Sequence, residues 1–443
     1  MTLTIIETSA QRTHQSFEKD RYLSQATADA ELDAVWNDCW LMAGLVQDVP
    51  HPGDFFVFSV GLEQVLITRD DQGELRAFFN VCQHRGNRLV CETQGSTQHF
   101  RCPYHAWTFS LDGQLKGVPL IEKFTEDPRT ANRDLTQVKV DVWNGMVFVH
   151  LGDSPEPLLD FLGPVADLLA PYDFGAMTLV EDQTVHLACN WKAVVDNFSE
   201  LYHVDFLHPQ HKRMVDCHND LVRLFPGGHT GVEVPGGTVN QKFGIPELPT
   251  DIQSSQLLSL DLDPKDFKGR VLEVREAIQQ QKRAVAKDRG MPYERFTDDQ
   301  LSDVWQYNLF PNTILSFTPE HCWVLRPRPH ATDPNQCEFD KLSLVRFPNQ
   351  TAAAHKPILG PASRDGAAAQ PKSRPDRDVF SYEAVIAGDK TMTDTIDQDV
   401  ELLSQVQLGM RSRGFNSVFL NEDEVRVQHF HAEWDRRMLK SDS

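Results

Sequence analysis

The chain has 443 residues and a formal net charge of −21 at pH 7, because Asp and Glu outnumber Lys and Arg by 64 to 43. An acidic chain without a basic stripe cannot neutralise nucleic-acid phosphates or an anionic membrane surface, which excludes both as expected partners. Its length suits two or three domains, and eight cysteines are too few for a disulfide-based fold. No secretory signal or membrane-spanning apolar run is visible, so we expect a cytoplasmic protein.

The first part of the chain predicts a helical segment followed by an all-β module. Residues 20–45 mix apolar and charged side chains at the spacing of an amphipathic helix. Three runs rich in aromatic and β-branched residues predict strands: 54–61, 64–70 and 74–81. Residues 106–115 predict a hairpin with Asp112-Gly113 at its turn, and residues 140–151 close the module.

Two Cys–His pairs lie inside this module. Cys82 and His84 are separated by one residue, Cys102 and His105 by two, and seventeen residues lie between the pairs. Three interpretations are open: reduced thiols beside surface imidazoles, a zinc site, or a [2Fe–2S] cluster in which two His replace two Cys. Common zinc spacings place two or more residues between paired ligands, which Cys82 and His84 do not satisfy.

The rest of the chain mixes strands and helices. Residues 265–300 are charge-dense and predict a solvated helical excursion. Residues 351–378 are rich in Ala, Pro and Arg and lack periodicity, which predicts a mobile insertion.

A second candidate site lies at residues 190–209, NWKAVVDNFSELYHVDFLHP. Asn190 is a plausible helix N-cap, and Glu200 and His203 are three residues apart, so that they would share one side of the helix. His208 comes five residues after His203, so the helix must end, bulge or turn for both imidazoles to meet one metal. Two imidazoles and one carboxylate suit Fe(II); the alternative is a pair of ordinary polar residues near a helix end.

The carboxylate is sought in an amphipathic helix at residues 393–411. Four acids lie near its start: Asp394, Asp397, Asp399 and Glu401. Acids in a first helical turn also complement the helix dipole, so the residue type alone leaves the ligand open between Asp397 and Asp399.

The motifs C-x-H-R-G and C-P-Y-H-x-W resemble the Rieske iron–sulfur domain family. Together with N-W-K and E-x-x-H-x-x-x-x-H, they resemble the terminal oxygenase (alpha) subunits of Rieske non-haem iron oxygenases over nearly the whole chain. The resemblance implies an α+β protein: an N-terminal all-β Rieske domain, then a larger α+β catalytic domain with a central antiparallel, helix-grip-like sheet. We expect a helical segment at 1–40 packing on the catalytic domain, the Rieske domain at 41–155 and the catalytic domain at 156–443.

The resemblance also implies ligands. One iron of the cluster would be bound by Cys82 and Cys102, and the other by His84 and His105. The mononuclear Fe(II) would be bound by His203, His208 and Asp399.

Glu200 matches the family's bridging carboxylate, which links the two metal sites across a head-to-tail trimer. It would join His203 to His105 of a neighbouring subunit. Many ring-dihydroxylating relatives have Asp here, and Glu resembles the variant of homotrimeric members, including carnitine and glycine-betaine oxygenases. We expect a homotrimer, with a small beta subunit as the alternative.

The implied function is reductive activation of dioxygen to oxygenate a small organic substrate, as a mono- or dioxygenase. Electrons from NAD(P)H would arrive through a separate flavin and iron–sulfur reductase or ferredoxin, since no dinucleotide fingerprint is present. An aromatic substrate is expected first; the alternatives are a quaternary ammonium compound and an electron carrier without oxygenase activity. Candidate pocket residues, each with a core or ion-paired role as the alternative, are Trp305, Tyr307, Phe310, Phe317, Trp323, Arg326 and Arg328.

Overall fold

The computed structural model describes residues 4–7, 16–213, 220–348, 370–371 and 373–441. Packing divides the chain into two compact units, one formed by Glu31–Phe161 and the other by Met1–Ala30 with Leu162–Ser443. The mobile insertion predicted at 351–378 lies mostly outside the described residues, at 351–369 and 372. No helix in the described ranges is long and apolar enough to cross a membrane.

The chain begins with short elements. They are strands β1 (Thr4–Glu7) and β2 (Ser16–Glu18), helices α1 (Asp20–Leu23) and α2 (Gln25–Glu31), and a π-helical turn at Leu32–Trp36. The helix predicted over residues 20–45 is therefore wrong after Trp36, because Leu41–Leu45 forms a strand. Every residue of that strand is buried. A short apolar run buried on all sides has no periodicity that separates helix from strand.

The smaller unit contains only strands and short turns between Leu41 and His150. The strands are β3 (Leu41–Leu45), β4 (Asp54–Val60), β5 (Glu63–Arg69), β6 (Leu75–Phe79), β7 (Gln94–Ser96), β8 (Phe100–Arg101), β9 (Thr108–Phe109), β10 (Leu115–Gly117), β11 (Gln137–Trp143) and β12 (Met146–His150). One sheet has the order β3-β12-β11-β6-β5-β4-β7, and a second has the order β10-β9-β8. The strands predicted at 54–61, 64–70 and 74–81 are confirmed as β4, β5 and β6.

The hairpin predicted at residues 106–115 is confirmed, and the residues that close the module form a second hairpin. β9 and β10 pair antiparallel around Asp112-Gly113, where Gly113 adopts φ +88°. β11 and β12 are joined by Asn144 and Gly145, which both have positive φ. Two consecutive left-handed residues form the turn whose twist matches that of paired strands.

The larger unit is built on one nine-stranded sheet. Its further strands, beyond β1 and β2, are β13 (Thr178–Leu187), β14 (Leu221–Leu224), β15 (Thr230–Val234), β16 (Val304–Leu309), β17 (Thr313–Phe317), β18 (His321–Pro329), β19 (Cys337–Val345), β20 (Arg377–Ser381) and β21 (Ser417–Phe419). The sheet order is β1-β14-β15-β16-β17-β18-β19-β13-β20. Only the outermost pairs, β1 with β14 and β13 with β20, are parallel among the described strands. The expected α+β fold with an antiparallel central sheet is confirmed.

Helices cover this sheet. They are α3 (Leu158–Leu162), α4 (Pro164–Leu169), α5 (Trp191–Asn197), α6 (Val204–Leu207), α7 (Asp251–Ser259), α8 (Val274–Arg289), α9 (Asp298–Ser302), α10 (Tyr382–Ile386), α11 (Asp394–Met410) and α12 (Val425–Ser441). α5 packs on β18 and β19, and α11 packs against α5. These contacts position the catalytic candidates.

The charge-dense stretch at 265–300 is helical but is not fully solvated. α8 buries Val274 and Ile278 on one face. Lys282 on the same face donates to the carbonyl of Leu301 at 2.7 Å and pairs with Glu320 at 2.7 Å. The excursion is therefore attached to the rest of the unit.

Candidate metal centres

The two Cys–His pairs lie on loops of the same backbone geometry. In the first loop, the N–H of Cys82 donates to the carbonyl of Asn87 at 2.8 Å, and the N–H of Gly86 donates to the carbonyl of Cys82 at 3.0 Å. The second loop has equivalent bonds at the same distances, formed by Cys102, Ala106 and Trp107. The residue four positions after each Cys is left-handed, with φ +73° at Gly86 and +57° at Ala106.

These loops bring the four predicted cluster ligands together. Cys82 and Cys102 are buried in one apolar cluster, and the rings of His84 and His105 are 4.5 Å apart. His84 also stacks on Trp107, with ring planes 8° apart and centroids separated by 4.7 Å.

The chemistry of this donor set fits a cationic iron–sulfur group. Burial, together with neighbouring Cys102, raises the pKa of the Cys82 thiol to about 11, so two thiolates need positive charge between them. Burial and the positive charges of His105 and Arg85 lower the pKa of His84, which favours neutral imidazole. Nδ1 of His84 is buried and has no hydrogen-bond partner among the described residues. Such an atom is available as a ligand.

The second site forms where the helix predicted at 190–209 is interrupted. Asn190 caps α5 as expected, its side chain accepting from the N–H of Lys192. α5 ends at Asn197, and α6 begins only at Val204. The sequence predicted that Glu200 and His203 share one side of a regular helix. This prediction is wrong, because both residues lie in the break between the two helices. The interruption expected between His203 and His208 lies before His203 instead, because the residues between the two imidazoles, Val204–Leu207, form α6.

Glu200 organises this break. Its Oε2 accepts from the backbone N–H of His203 at 3.0 Å, and its Oε1 contacts Nδ1 of the same residue. Burial acts to lower the pKa of His203, but the hydrogen bond and charge of Glu200, together with the charge of Asp399, raise it. Because a carboxylate only accepts, Nδ1 carries the proton and Nε2 of His203 is left with a lone pair.

His203, His208 and Asp399 converge. Oδ1 of Asp399 is 3.2 Å from Nε2 of His208 and 3.7 Å from Nε2 of His203, and the three ligand atoms lie within 4.8 Å of one another. Asp399 is 1 % exposed, and its Oδ1 accepts no hydrogen bond among the described residues. Three lone-pair atoms facing one point repel each other unless a cation lies between them. The donor set therefore fits Fe(II).

Two other acids near this site, Asp397 on α11 and Asp196 on α5, have other partners. Asp397 accepts from the N–H of Met392 at 2.8 Å and from the hydroxyl of Thr391 at 2.5 Å. Its carboxylate is therefore bound to residues that precede the helix. Asp196, which precedes Glu200 by four residues, accepts from Tyr22 and from His431 at 2.9 Å. Neither carboxylate is directed at the two imidazoles.

Several polar residues around His208 were missed in the sequence. Nδ1 of His208 bonds Oε1 of Gln398 at 2.7 Å, and Gln210 donates to the same oxygen at 2.9 Å. His211 contacts the hydroxyl of Thr395 at 2.8 Å. Gln398 adjoins a candidate ligand in sequence, but no motif marks it.

Three of the five aromatic residues considered as pocket candidates pack with one another. Trp305, Tyr307 and Phe317 are at most 5 % exposed, with ring centroids 5.9 to 6.4 Å apart. Phe310 packs on Phe430 at 5.4 Å. These contacts favour the core interpretation for the four side chains.

Arg326 and Arg328 are not available to a substrate carboxylate. Both bind Asp340, with nitrogen–oxygen distances of 2.7 and 2.8 Å, and Arg328 also reaches Glu338 at 2.6 Å. Burial alone would raise the pKa of Asp340, but the two guanidinium groups hold it well below its usual range. The ion-paired alternative is the one that the structure shows.

Comparison with known families and proteins agrees with this geometry. The family model described as "Ring hydroxylating alpha subunit (catalytic domain)" matches residues 174–440, and that of the "Rieske [2Fe-2S] domain" matches residues 39–138. The solved structure of the quaternary ammonium Rieske monooxygenase CntA with L-carnitine covers 96 % of this chain and 95 % of its own, with a TM-score of 0.63. At 19 % identity, that likeness shows the fold alone.

Two curated relatives match more closely in sequence but over less length. The glycine betaine monooxygenase oxygenase subunit of Chromohalobacter salexigens is 34 % identical over 180 residues, 41 % of this chain and 40 % of that one. The large oxygenase component of the naphthalene 1,2-dioxygenase system of Pseudomonas putida is 33 % identical over 184 residues, 40 % of this chain and 41 % of that one. The chain thus spans about two fifths of the length of these relatives.

The cofactors of such proteins are a Rieske [2Fe–2S] cluster and a mononuclear iron, and both donor sets are present in this chain. The chain belongs to the Rieske non-haem iron oxygenases, in the family of ring-hydroxylating alpha subunits.

Proposed function

We propose that this protein is the terminal component of a multicomponent oxygenase, which uses dioxygen and electrons from NAD(P)H to oxygenate a small organic substrate. The observation that carries the proposal is the convergence of His203, His208 and Asp399 on one point beside Glu200. An electron carrier needs the cluster loops alone and gives no reason for a second, buried set of ligands.

The ligand assignment follows from the two donor sets. The cluster is held by Cys82, Cys102, His84 and His105. The mononuclear iron is held by His203, His208 and Asp399. Two imidazoles and one carboxylate would hold iron at this point, and iron bound there would supply the activation of dioxygen.

Glu200 connects rather than binds metal. One of its oxygens holds the backbone of His203 and the other holds Nδ1 of the same imidazole. In a homotrimer, this carboxylate joins His203 to His105 of a neighbouring subunit and fixes the proton on each imidazole. A separate reductase delivers the electrons to the cluster.

For the substrate, we propose a small quaternary ammonium compound. A named glycine betaine monooxygenase is among the matched relatives, and Glu200 resembles the variant of carnitine and betaine oxygenases. An aromatic compound is the second candidate, since naphthalene 1,2-dioxygenase matches a similar share of the chain.

The metal assignment is tested by measuring the iron and acid-labile sulfide content of the purified protein. We expect two cluster irons, two acid-labile sulfides and one mononuclear iron per chain. His203→Ala should keep the visible spectrum of the cluster and lose the mononuclear iron. Wild-type protein that binds only the cluster irons after anaerobic Fe(II) loading would favour an electron carrier.

The role of Glu200 is tested in a single turnover. Glu200→Gln should bind both metals normally but slow cluster reoxidation by about 100-fold, because an amide cannot accept as an anion from two imidazoles. Glu401→Gln is the matched control, an exposed glutamate on α11 whose replacement should change nothing. Wild-type reoxidation in Glu200→Gln would remove the bridging role.

The substrate class is tested by coupled oxygen uptake with a surrogate reductase. Glycine betaine, carnitine and choline are compared with benzoate, salicylate and naphthalene. We expect product formation matched to oxygen consumption only with ammonium compounds. Coupled turnover of an aromatic compound alone would establish the second candidate.

A further inference from the structure

The two imidazoles of the proposed iron site have different partners. Nδ1 of His203 faces the Glu200 carboxylate, whereas Nδ1 of His208 faces the side-chain amide of Gln398 at 2.7 Å. One imidazole is thus held by a negative group and the other by a neutral one. The bridging function proposed for Glu200 accounts only for the first.

The amide determines which nitrogen of His208 carries the proton. Oε1 of Gln398 can only accept, so Nδ1 of His208 must be the donor. The proton then lies on Nδ1, and Nε2 keeps its lone pair 3.2 Å from Oδ1 of Asp399. The opposite tautomer would place an N–H where the metal must bind.

Gln398 lies where α11 meets the turn that follows His208. It lies next to Asp399 on α11, so the ligand carboxylate and the acceptor share one turn of helix. Gln210 donates to the same oxygen at 2.9 Å, and His211 contacts the hydroxyl of Thr395 one turn earlier. The turn after His208 is therefore attached to the helix that carries Asp399, independently of any metal.

We infer that Gln398 is a positioning residue for the mononuclear iron: it fixes His208 as the Nδ1–H tautomer, with Nε2 directed at the same point as Asp399. The inference rests on the proposed function, because it concerns the ligand set assigned there. A partner of this kind acts through the imidazole, and its loss typically weakens metal binding about 10- to 100-fold.

Three variants separate this role from simple packing. Gln398→Met keeps the length of the side chain and removes the acceptor. Gln398→Glu keeps an acceptor oxygen and adds a charge. Gln210→Met is the matched control, because it removes the other donor to the same oxygen and leaves the bond to His208.

The readouts are the affinity of the cluster-loaded, iron-depleted protein for Fe(II), measured against a chelator, and the electron paramagnetic resonance spectrum of its nitrosyl complex. We expect Gln398→Met to weaken Fe(II) binding by about 10- to 100-fold, and both Gln398→Glu and Gln210→Met to stay within about threefold of wild type. Gln398→Glu should also change the nitrosyl spectrum, because an anionic acceptor makes the imidazole a stronger donor.

Wild-type affinity in Gln398→Met would overturn the inference, as would an equal loss in Gln210→Met. If Gln398→Met does not fold, judged by the cluster spectrum, Gln398→Glu decides: an unchanged nitrosyl spectrum rejects the inference. His208→Ala separates it from the proposed function. Retention of iron in that variant would reject the ligand assignment itself, whereas loss of iron there with normal binding in Gln398→Met would reject only the role of Gln398.

Discussion

His431 is buried among charged groups that determine which of its ring nitrogens is protonated. Arg21 lies 3.1 Å from its Nδ1, and a guanidinium can only donate, so Nδ1 accepts. Nε2 therefore carries the proton and donates to Asp196 at 2.9 Å. Tyr22 binds the other oxygen of the same carboxylate. A neutral imidazole thus joins the N-terminal segment to α5 and α12.

This arrangement predicts a loss of stability in mild acid. Burial lowers the pKa of His431; Asp196 opposes that shift, and the charges of Arg21 and Lys192 reinforce it. The unfolded chain takes up a proton near its ordinary pKa of 6.5, while the folded chain does not, so the free energy of unfolding falls as pH drops below about 6.5. Urea unfolding between about pH 5 and 8 measures the slope.

His431→Gln is the control for that experiment. His211 and His321, whose pKa values burial lowers to about 4 and about 3, contribute slopes of the same sign and remain in the variant. The free energy of unfolding of the variant should therefore still fall with decreasing pH, but with a slope that is smaller by up to one proton per molecule. An unchanged slope would show that His431 is not protonated on unfolding in this range.

At the residue scale, the sequence indicated the side chains that converge, His203, His208 and Asp399, better than the residues that support them. Asp397 and Asp399 are two positions apart, about 200° around a helix, so only one can face the imidazoles. The burial of Asp399 distinguishes the two residues. The spacing of four acids along a helix does not show which of them is buried. Gln398 meets His208 across 190 residues of chain. Such a contact depends on tertiary packing alone and has no local signal.

At the scale of elements, the turn residues made the short strands predictable, whereas the interruptions of the helices could not be predicted. β4, β5 and β6 lie between clear turn residues and were located within a residue or two. The break after α5 was not predicted, because the need for two imidazoles to meet placed the expected interruption between His203 and His208. Nothing in the residues from Phe198 to Leu201 forbids a continuing helix. The break is maintained by Glu200, whose side chain accepts the hydrogen bond of the His203 backbone N–H.

The sheet of the larger unit contains a charged cluster that predicts a large mutational effect. Asp340 is 0 % exposed and is opposed on β18 by Arg326, and it also binds Arg328. Asp340→Asn removes the charge that compensates two buried guanidinium groups. We expect the free energy of unfolding to fall by about 3–5 kcal/mol, measured by urea denaturation with the cluster retained.

A surface pair provides the comparison for Asp340. Asp127 binds Arg129 at 2.7 Å, and the two side chains lie in solvent, 34 and 48 % exposed. Asp127→Asn should leave the denaturation midpoint unchanged, because water screens the pair. Equal midpoints for both variants would mean that the Asp340 cluster is worth no more than a surface contact.

At the scale of the whole molecule, the two proposed metal sites lie in separate compact units. If electrons pass between subunits, two inactive variants should complement each other. His105→Ala lacks an intact cluster and Asp399→Ala lacks the mononuclear iron. Co-refolded or co-expressed in equal amounts, they should recover about one quarter of wild-type turnover on statistical assembly in a head-to-tail ring.

The same mixture distinguishes electron transfer between subunits from electron transfer within one chain. Transfer confined to one chain predicts no recovery, since neither variant contains both sites. The purified single variants mixed without subunit exchange serve as the control and should remain inactive. Cluster reoxidation and product formation are followed together, so that uncoupled oxygen consumption is not counted as turnover.

The paired loops around Cys82 and Cys102 have a consequence for electron transfer. Each loop is a small ring closed by two backbone hydrogen bonds, and each contains a left-handed residue, Gly86 or Ala106. A loop closed in this way is stiff, so a change of charge on a cluster held between the two loops would displace their sulfur and imidazole groups little. Small displacement means a small reorganisation energy, and a modest difference in potential then suffices for fast passage of an electron in either direction.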